Sequence, residues 1–339
     1  MEFHCSIREN QRITLPRIML RNFSIALHLK ALKSSTLFVI FFMFFGFTPL
    51  GHTQEKNESL TISYDLNGEE HVISGKKTSH GYRFNANAKK IVNLATLNWP
   101  PYISENICNK GWVFQYTVAL LASKGYQVNI HFYPWARSVK LVEQGTMDIL
   151  FPEYFIEETA PSDNFPRKNR RELLSLSSSF PGGSLALLQR KGGNVNLYDG
   201  LSVLKGKTIG VVRGYQNTPE FDAMMDAREF YVVEAVDELQ LVNLLVSERV
   251  ELIIGDPKVF NFTVNFSSLA ASKKKLLLDV LEQVDPPLDY NPLYFAVSNK
   301  SLQSEQIMTD LNRAILQFES DGETDRLIQL GEQCTHTTP

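Results

Sequence analysis

The sequence predicts an α/β protein built as two lobes, and three observations lead to it. From Ile91 onward, short apolar runs alternate with stretches of helical period, and strands joined by helices form parallel sheets covered on both faces. That rhythm runs through twice, each pass taking about 100 residues, an ordinary domain size. Composition agrees. Apolar residues make up 43% and charged residues 21% of the 339, which suits a buried core and not a disordered or wholly membrane-embedded chain.

In the first pass, the stretch 91–97 reads as a strand and stops at Pro100-Pro101. Gly111 opens a helix with Phe114, Val118 and Leu121 on one face, and Gly125 closes it. The stretch 128–132 alternates as a second strand. The helix after it, 136–144, stops at Gly145, a residue suited to a helix C-terminus. A third strand at 148–151 ends at Pro152. In the second pass, 208–212 is a strand, and Thr218-Pro219 supplies a capping hydroxyl and a first-turn proline for the next helix. A strand follows at 230–234, and Asp237 caps a helix that turns Leu239, Val242 and Leu245 inward. The strand 250–254 ends at Gly255-Asp256-Pro257. Ile307, Leu311, Ile315 and Phe318 mark a long amphipathic helix, which Asp321-Gly322 separates from a last short one.

Charge divides the chain. Residues 1–53 hold six Lys/Arg against two Asp/Glu, and residues 54–339 hold 28 against 35. Such an acidic body makes nucleic acid a poor partner, since phosphate binding needs clustered positive charge. The run 37–47 is uncharged and apolar; Arg17, Arg21, Lys30 and Lys33 precede it, and Pro49 with small residues follows. That is the layout of a secretory signal, and the run falls short of the ~20 residues that span a bilayer. Residues 1–53 are therefore expected to be a cleaved signal peptide or, uncut, an N-terminal anchor and the sole membrane contact. Either way the body faces an exported, oxidising compartment. Cys5 stays on the removed or cytosolic side, so Cys108 and Cys334 can form one disulfide or remain two buried thiols. Residues 54–90 read as a polar N-terminal extension, with a hairpin turn at Asn67-Gly68.

Familiar catalytic patterns are absent. The run 200–208 has five residues between its glycines where a phosphate loop needs four, and a strand follows where a helix N-terminus should hold the phosphate. There is no His-Glu-x-x-His, Gly-x-Ser-x-Gly or Cys-x-x-Cys, and the seven histidines lack ligand spacing. No cofactor and no metal are expected, and the chain reads as a non-enzyme.

From Ile91 to about Gln333 the ordered motifs resemble the family 3 periplasmic solute-binding proteins, the receptors of polar amino-acid ABC importers. The motifs are Trp99-Pro100-Pro101-Tyr102, then Pro134-Trp135-x-Arg137 with Gly145-x-x-Asp148, then Arg171 before Leu176-Ser177. The segments 204–211 and 249–256 and the turn 321–325 complete the set. The resemblance implies a two-lobe periplasmic-binding-protein fold of type II, with a discontinuous first lobe and a ligand cleft between the lobes. Lobe 1 would comprise 91–185 and 294–339, lobe 2 would comprise 186–293, and the crossings would fall near 184–186 and 294–296. The implied function is capture of a small polar solute, amino-acid-like or amine-containing, by hinge closure in the periplasm, for an ABC permease or a sensor.

The resemblance also nominates residues. Arg171 would pair with a ligand carboxylate, because a guanidinium fork matches one with two charge-assisted bonds; Arg170 or Arg167 could take that place. Asp256, at a strand end, would hold an ammonium group, or else simply cap a helix. Trp99, Tyr102 and Trp135 would form an aromatic wall, Trp99 and Tyr102 on a loop being the stronger candidates and Trp135, after a strand, more often a core position. The chain departs from the family pattern at Pro152, Glu153 and Phe155, where small hydroxyl residues are usual, and at Tyr215-Gln216, where Thr-Thr is common. A glutamate at Glu153 would repel a carboxylate unless an arginine compensated it, which leaves amines and peptide-like solutes open. Two alternatives stand beside capture: a dehydratase-like enzyme on the same scaffold, with Glu153 as its acid or base, and an extracytoplasmic sensory module.

Overall fold

The structure, a computed structural model, describes residues 59–334, all within the unit Gln54–Pro339. The expected leader at 1–53 lies outside them. The N-terminal part comprises β1 (Ser59–Leu66), β2 (Glu69–Thr78), β3 (Gly81–Phe84), β4 (Lys90–Thr96), α1 (Trp112–Ser123), β5 (Tyr126–Phe132), α2 (Trp135–Glu143), β6 (Ile149–Glu153), α3 (Arg170–Leu173) and β7 (Leu174–Leu176). The chain then runs through β8 (Phe180–Arg190), β9 (Thr208–Val212), α4 (Pro219–Asp226), β10 (Tyr231–Ala235), α5 (Glu238–Val246), β11 (Leu252–Gly255), α6 (Pro257–Phe266), α7 (Ala271–Val280) and β12 (Leu281–Gln283). It returns through β13 (Asp289–Ser298), α8 (Ser304–Ser320) and α9 (Glu323–Cys334). Among the described residues, no helix is long and apolar enough to cross a membrane.

Strand order is β1-β2-β3-β5-β4-β6-β13-β8-β11-β9-β10, with β7 on β13 and β12 on β8. β4 is parallel to β5 and β6 in the first lobe, and β9 is parallel to β10 and β11 in the second. The antiparallel pair β8–β13 connects the lobes. β8 pairs with β13 as far as Leu185 and with β11 from Ala186 onward. β13 pairs with β8 through Leu293 and with β6 from Tyr294. Phe180, Phe295 and Phe151 pack at this crossing with tilted rings, their centres 4.8 and 5.9 Å apart. Each such buried ring is worth roughly 1.5–3 kcal/mol of transfer free energy.

The first lobe packs on α1, whose residues 112–122 are all buried, more than the single apolar face read from the sequence. α8 turns Ile307, Leu311, Ile315 and Phe318 into the same core. Asn67 and Gly68 both adopt positive φ, at 53° and 80°, the twist a two-residue hairpin turn requires. That turn sets Ile62 and Tyr64 of β1 inward, Tyr64 stacking on Phe318 at 5.8 Å. β3 then pairs with the edge of β5, so the N-terminal extension is part of the first-lobe sheet. In the second lobe Leu241, Val242, Leu245, Phe260, Val264 and Leu277 form a separate buried cluster.

Two details differ from the sequence reading. Pro152 lies inside β6 instead of ending it. The β6–β13 register shifts between Tyr294 and Ala296, so Phe151 and Pro152 face a bulge that needs no N–H from the proline. Residues 257–280 form helices α6 and α7, which the sequence reading did not assign. Cys108 is disulfide-bonded; the Cys334 side chain lies outside those described.

Candidate functional site

The ends of β4, β6, β9 and β11 meet between the lobes, the position where parallel strands of α/β sheets gather ligands. After β4, Trp99 and Ile103 exchange backbone hydrogen bonds of 2.6 and 3.0 Å, which fixes the loop and stacks Trp99 on Tyr102 at 4.5 Å. Trp135 stands at the first turn of α2, while Glu153 ends β6 and Tyr154 follows it. From the other lobe come Tyr215 and Gln216 after β9, Glu238 in the first turn of α5, and Asp256 at the end of β11.

These groups bond across the gap. The Tyr102 hydroxyl donates to Asp256 Oδ2 at 2.7 Å. The Trp135 indole donates to the Gly214 carbonyl at 3.0 Å and meets the Tyr215 ring edge-on at 5.8 Å. Glu238 accepts from the Tyr215 hydroxyl at 2.7 Å and from the Trp99 side chain. The cavity enclosed by Leu97, Trp99, Trp135, Glu153, Tyr154 and Tyr215 is only about 20 Å³, room for about one water. Tyr215 and Gln216 also line a groove of about 740 Å³ between the lobes, which falls in the ~300–1,000 Å³ range of small-molecule sites.

Burial sets the electrostatics. Glu153, Glu238 and Asp256 are 2%, 3% and 2% exposed. Desolvation raises the pKa of Asp256 and of Glu153, the latter against the pull of Arg170, and pushes Glu238 up to about 7. The hydroxyls of Tyr154 and Tyr215 are raised well above their usual range by burial and by neighbouring carboxylates. The Tyr154 hydroxyl has no hydrogen-bond partner.

Of the residues nominated from sequence, Trp99, Tyr102, Trp135, Glu153, Tyr215, Gln216 and Asp256 come together here. Asp256 also caps α6, accepting from the Lys258 N–H at 2.7 Å, so one carboxylate serves the helix and the gap together. Arg171 does not join them. It pairs with Glu158 at 3.3 Å and lines neither cavity. α3 starts at Arg170 with a capping box from Asn169 and Glu172, and its turn buries Arg170 and Leu173 while leaving Arg171 half-buried, its Nη1 enclosed without a partner. Arg170 donates to Glu153 Oε2 at 2.8 Å and lies 3.4 Å from Glu143 Oε1. Tyr154, Glu238 and Glu143 were not foreseen. Glu238 carried a signal, an acid directly after a capping Asp at a strand-to-helix turn; Tyr154 and Glu143 carried none.

No family model and no curated protein sequence matches the chain. Solved structures do. An ancestral arginine-binding protein bound to arginine superposes with a TM-score of 0.56 at 17% identity, over 72% of this chain and 98% of that one. An amino acid ABC transporter substrate-binding protein from Streptococcus pneumoniae, bound to L-arginine, gives 0.55 at 14%, over 74% and 98%. A histidine kinase sensor domain similar to periplasmic binding proteins gives 0.55 at 13%, over 72% and 96%. At these identities the likeness is one of fold, and the fold is that of the two-lobe binding proteins.

Proposed function

We propose that this chain captures a small polar, amine-bearing solute by closing its lobes, in the periplasm, and presents it to an ABC-type permease or a sensor. One observation carries the reading. The polar groups that face each other across the gap are bonded to one another, Tyr102 to Asp256 and Trp135 to Gly214. A solute that took over these bonds would bind the closed form best and shift the population toward it. The pairing changes at 185/186 and 293/294 serve as the hinge, with lobe 1 comprising 91–185 and the return from 294, together with the extension paired onto its sheet. The binding wall is Trp99, Tyr102, Trp135, Glu153, Tyr215, Gln216 and Asp256, with Arg170 in place of Arg171 beside it and bonded to Glu153. Neighbours of the same fold bind arginine, belong to a transporter, or form a kinase sensor, which supports both kinds of partner.

A thermal-shift screen of polar metabolites tests this. A ligand at a hundred times its Kd adds about 2.7 kcal/mol of stability, so a true solute raises Tm by several degrees and emerges unaltered on mass spectrometry. Silence across a broad library counts against capture, and consumption of the hit points to catalysis.

A further inference from the structure

The charged groups around the gap are unevenly balanced. Arg170 is the only buried Lys or Arg among the described residues, and it already lies against two buried carboxylates, Glu153 and Glu143. With both acids ionised that trio is net negative. Asp256 and Glu238 add two more buried carboxylates from the opposite lobe, and when the lobes part each loses its donor from the first lobe, Tyr102 and Trp99 respectively. The walls present Trp99, Trp135, Tyr154 and Tyr215, whose ring faces attract cations. Tyr154 lines the cavity, and its buried hydroxyl, without a hydrogen-bond partner, can accept from an ammonium or guanidinium N–H.

We infer that the gap takes an organic cation that carries no carboxylate, and that Glu153 sets this preference by keeping Arg170 engaged. The inference rests on the capture reading above and names its solute class. Arg170 lines the groove, and its Nη1, without a hydrogen-bond partner, is the buried cationic atom placed to receive an anion there. A ligand carboxylate approaching it would meet Glu153 at 2.8 Å from Nη2 on the same guanidinium, and the repulsion is strong at low local dielectric. Glu153 thus occupies the arginine from within. A carboxylate-free amine or guanidinium meets instead two lobe-2 carboxylates, an aromatic enclosure and a waiting hydroxyl.

Isothermal titration of the purified protein with matched pairs tests this: agmatine against L-arginine, cadaverine against L-lysine, and choline against glycine betaine. Within a pair the cationic head is shared and the carboxylate is the difference. We expect the carboxylate-free member of at least one pair to bind tenfold or more tighter than its partner. Glu153→Gln keeps the size and removes the charge, and should shrink or reverse that preference by at least tenfold, chiefly by improving the carboxylate-bearing member. Should Glu153→Gln fail to fold, the wild-type pairs alone still decide. Carboxylate-bearing members that bind wild type as tightly or tighter overturn the inference and leave capture standing. If none of the six binds while another polar solute does, the inference also fails; if no solute binds at all, both fail.

Discussion

Burial changes the acid–base chemistry of Glu238. Its carboxyl sits in the first turn of α5 against Tyr215 and Trp99, with Asp237 beside it and Tyr154 opposite, and burial pushes its pKa from the ordinary 4.5 to about 7. The folded protein therefore holds a proton that the unfolded chain releases between these two values. Stability is greatest below pH 4.5 with respect to this group and falls as pH rises through 7, by roughly 3 kcal/mol in full. Buried Glu153 and Asp256 slope the same way. Glu238→Gln keeps an acceptor for Tyr215 and removes the titration, so Tm measured from pH 4.5 to 8 should fall less steeply in the variant. Parallel curves for the two proteins would contradict the assignment. The same crowding makes the Arg170–Glu153 pair expensive to break, since truncating one partner of a buried ion pair leaves the other charge uncompensated.

At the level of elements, much of this protein was legible in its residues. Thr218-Pro219 and Asp237 announced helices that begin there, with the Thr218 and Asp237 side chains accepting from the Phe221 and Gln240 N–H groups. The Asn67-Gly68 turn and the inward stripe of α8 were equally plain, because turn chemistry and helical period are local. What stayed hidden depends on partners distant in sequence. Asp256-Pro257 has the same cap-and-proline signature as Thr218-Pro219, yet Gly255 before it reads as a strand terminator, and α6 was missed. Which of two adjacent arginines turns inward follows from where a four-residue helix starts, and that start is set by Asn169 and Glu172. The acids around the gap belong to separate strands and helices, so only Asp256 and Glu153 were nominated.

Cys108 is disulfide-bonded, and α9, which ends at Cys334, packs against the turn at 108–110. We propose Cys334 as its partner, closing the first lobe from its first helix to its last. Peptide mapping without reductant should recover the 108–334 linkage. Cys334→Ser, or reduction, should cost about 2–5 kcal/mol, read as a lower Tm. Recovery of Cys334 as a free thiol would refute the pairing.

In the whole molecule, two lobes meet through side chains that a solute would otherwise engage. Gly183, on the crossing strand β8, gives a way to hold them apart. Its backbone is ordinary extended chain, but an added Cβ would overlap the Tyr102 hydroxyl and the Asp256 carboxylate where they bond. Gly183→Ala should therefore fold yet lose the closed contact, while leaving the Phe180–Phe295 packing of the crossing in place. Small-angle scattering of wild type and Gly183→Ala, each with and without the best solute from the thermal-shift screen, reads the consequence directly. Wild type should stay compact with solute, and the variant should show a larger radius of gyration and bind that solute at least tenfold more weakly. Superimposable curves together with undiminished affinity would mean that the solute is not held between these lobes.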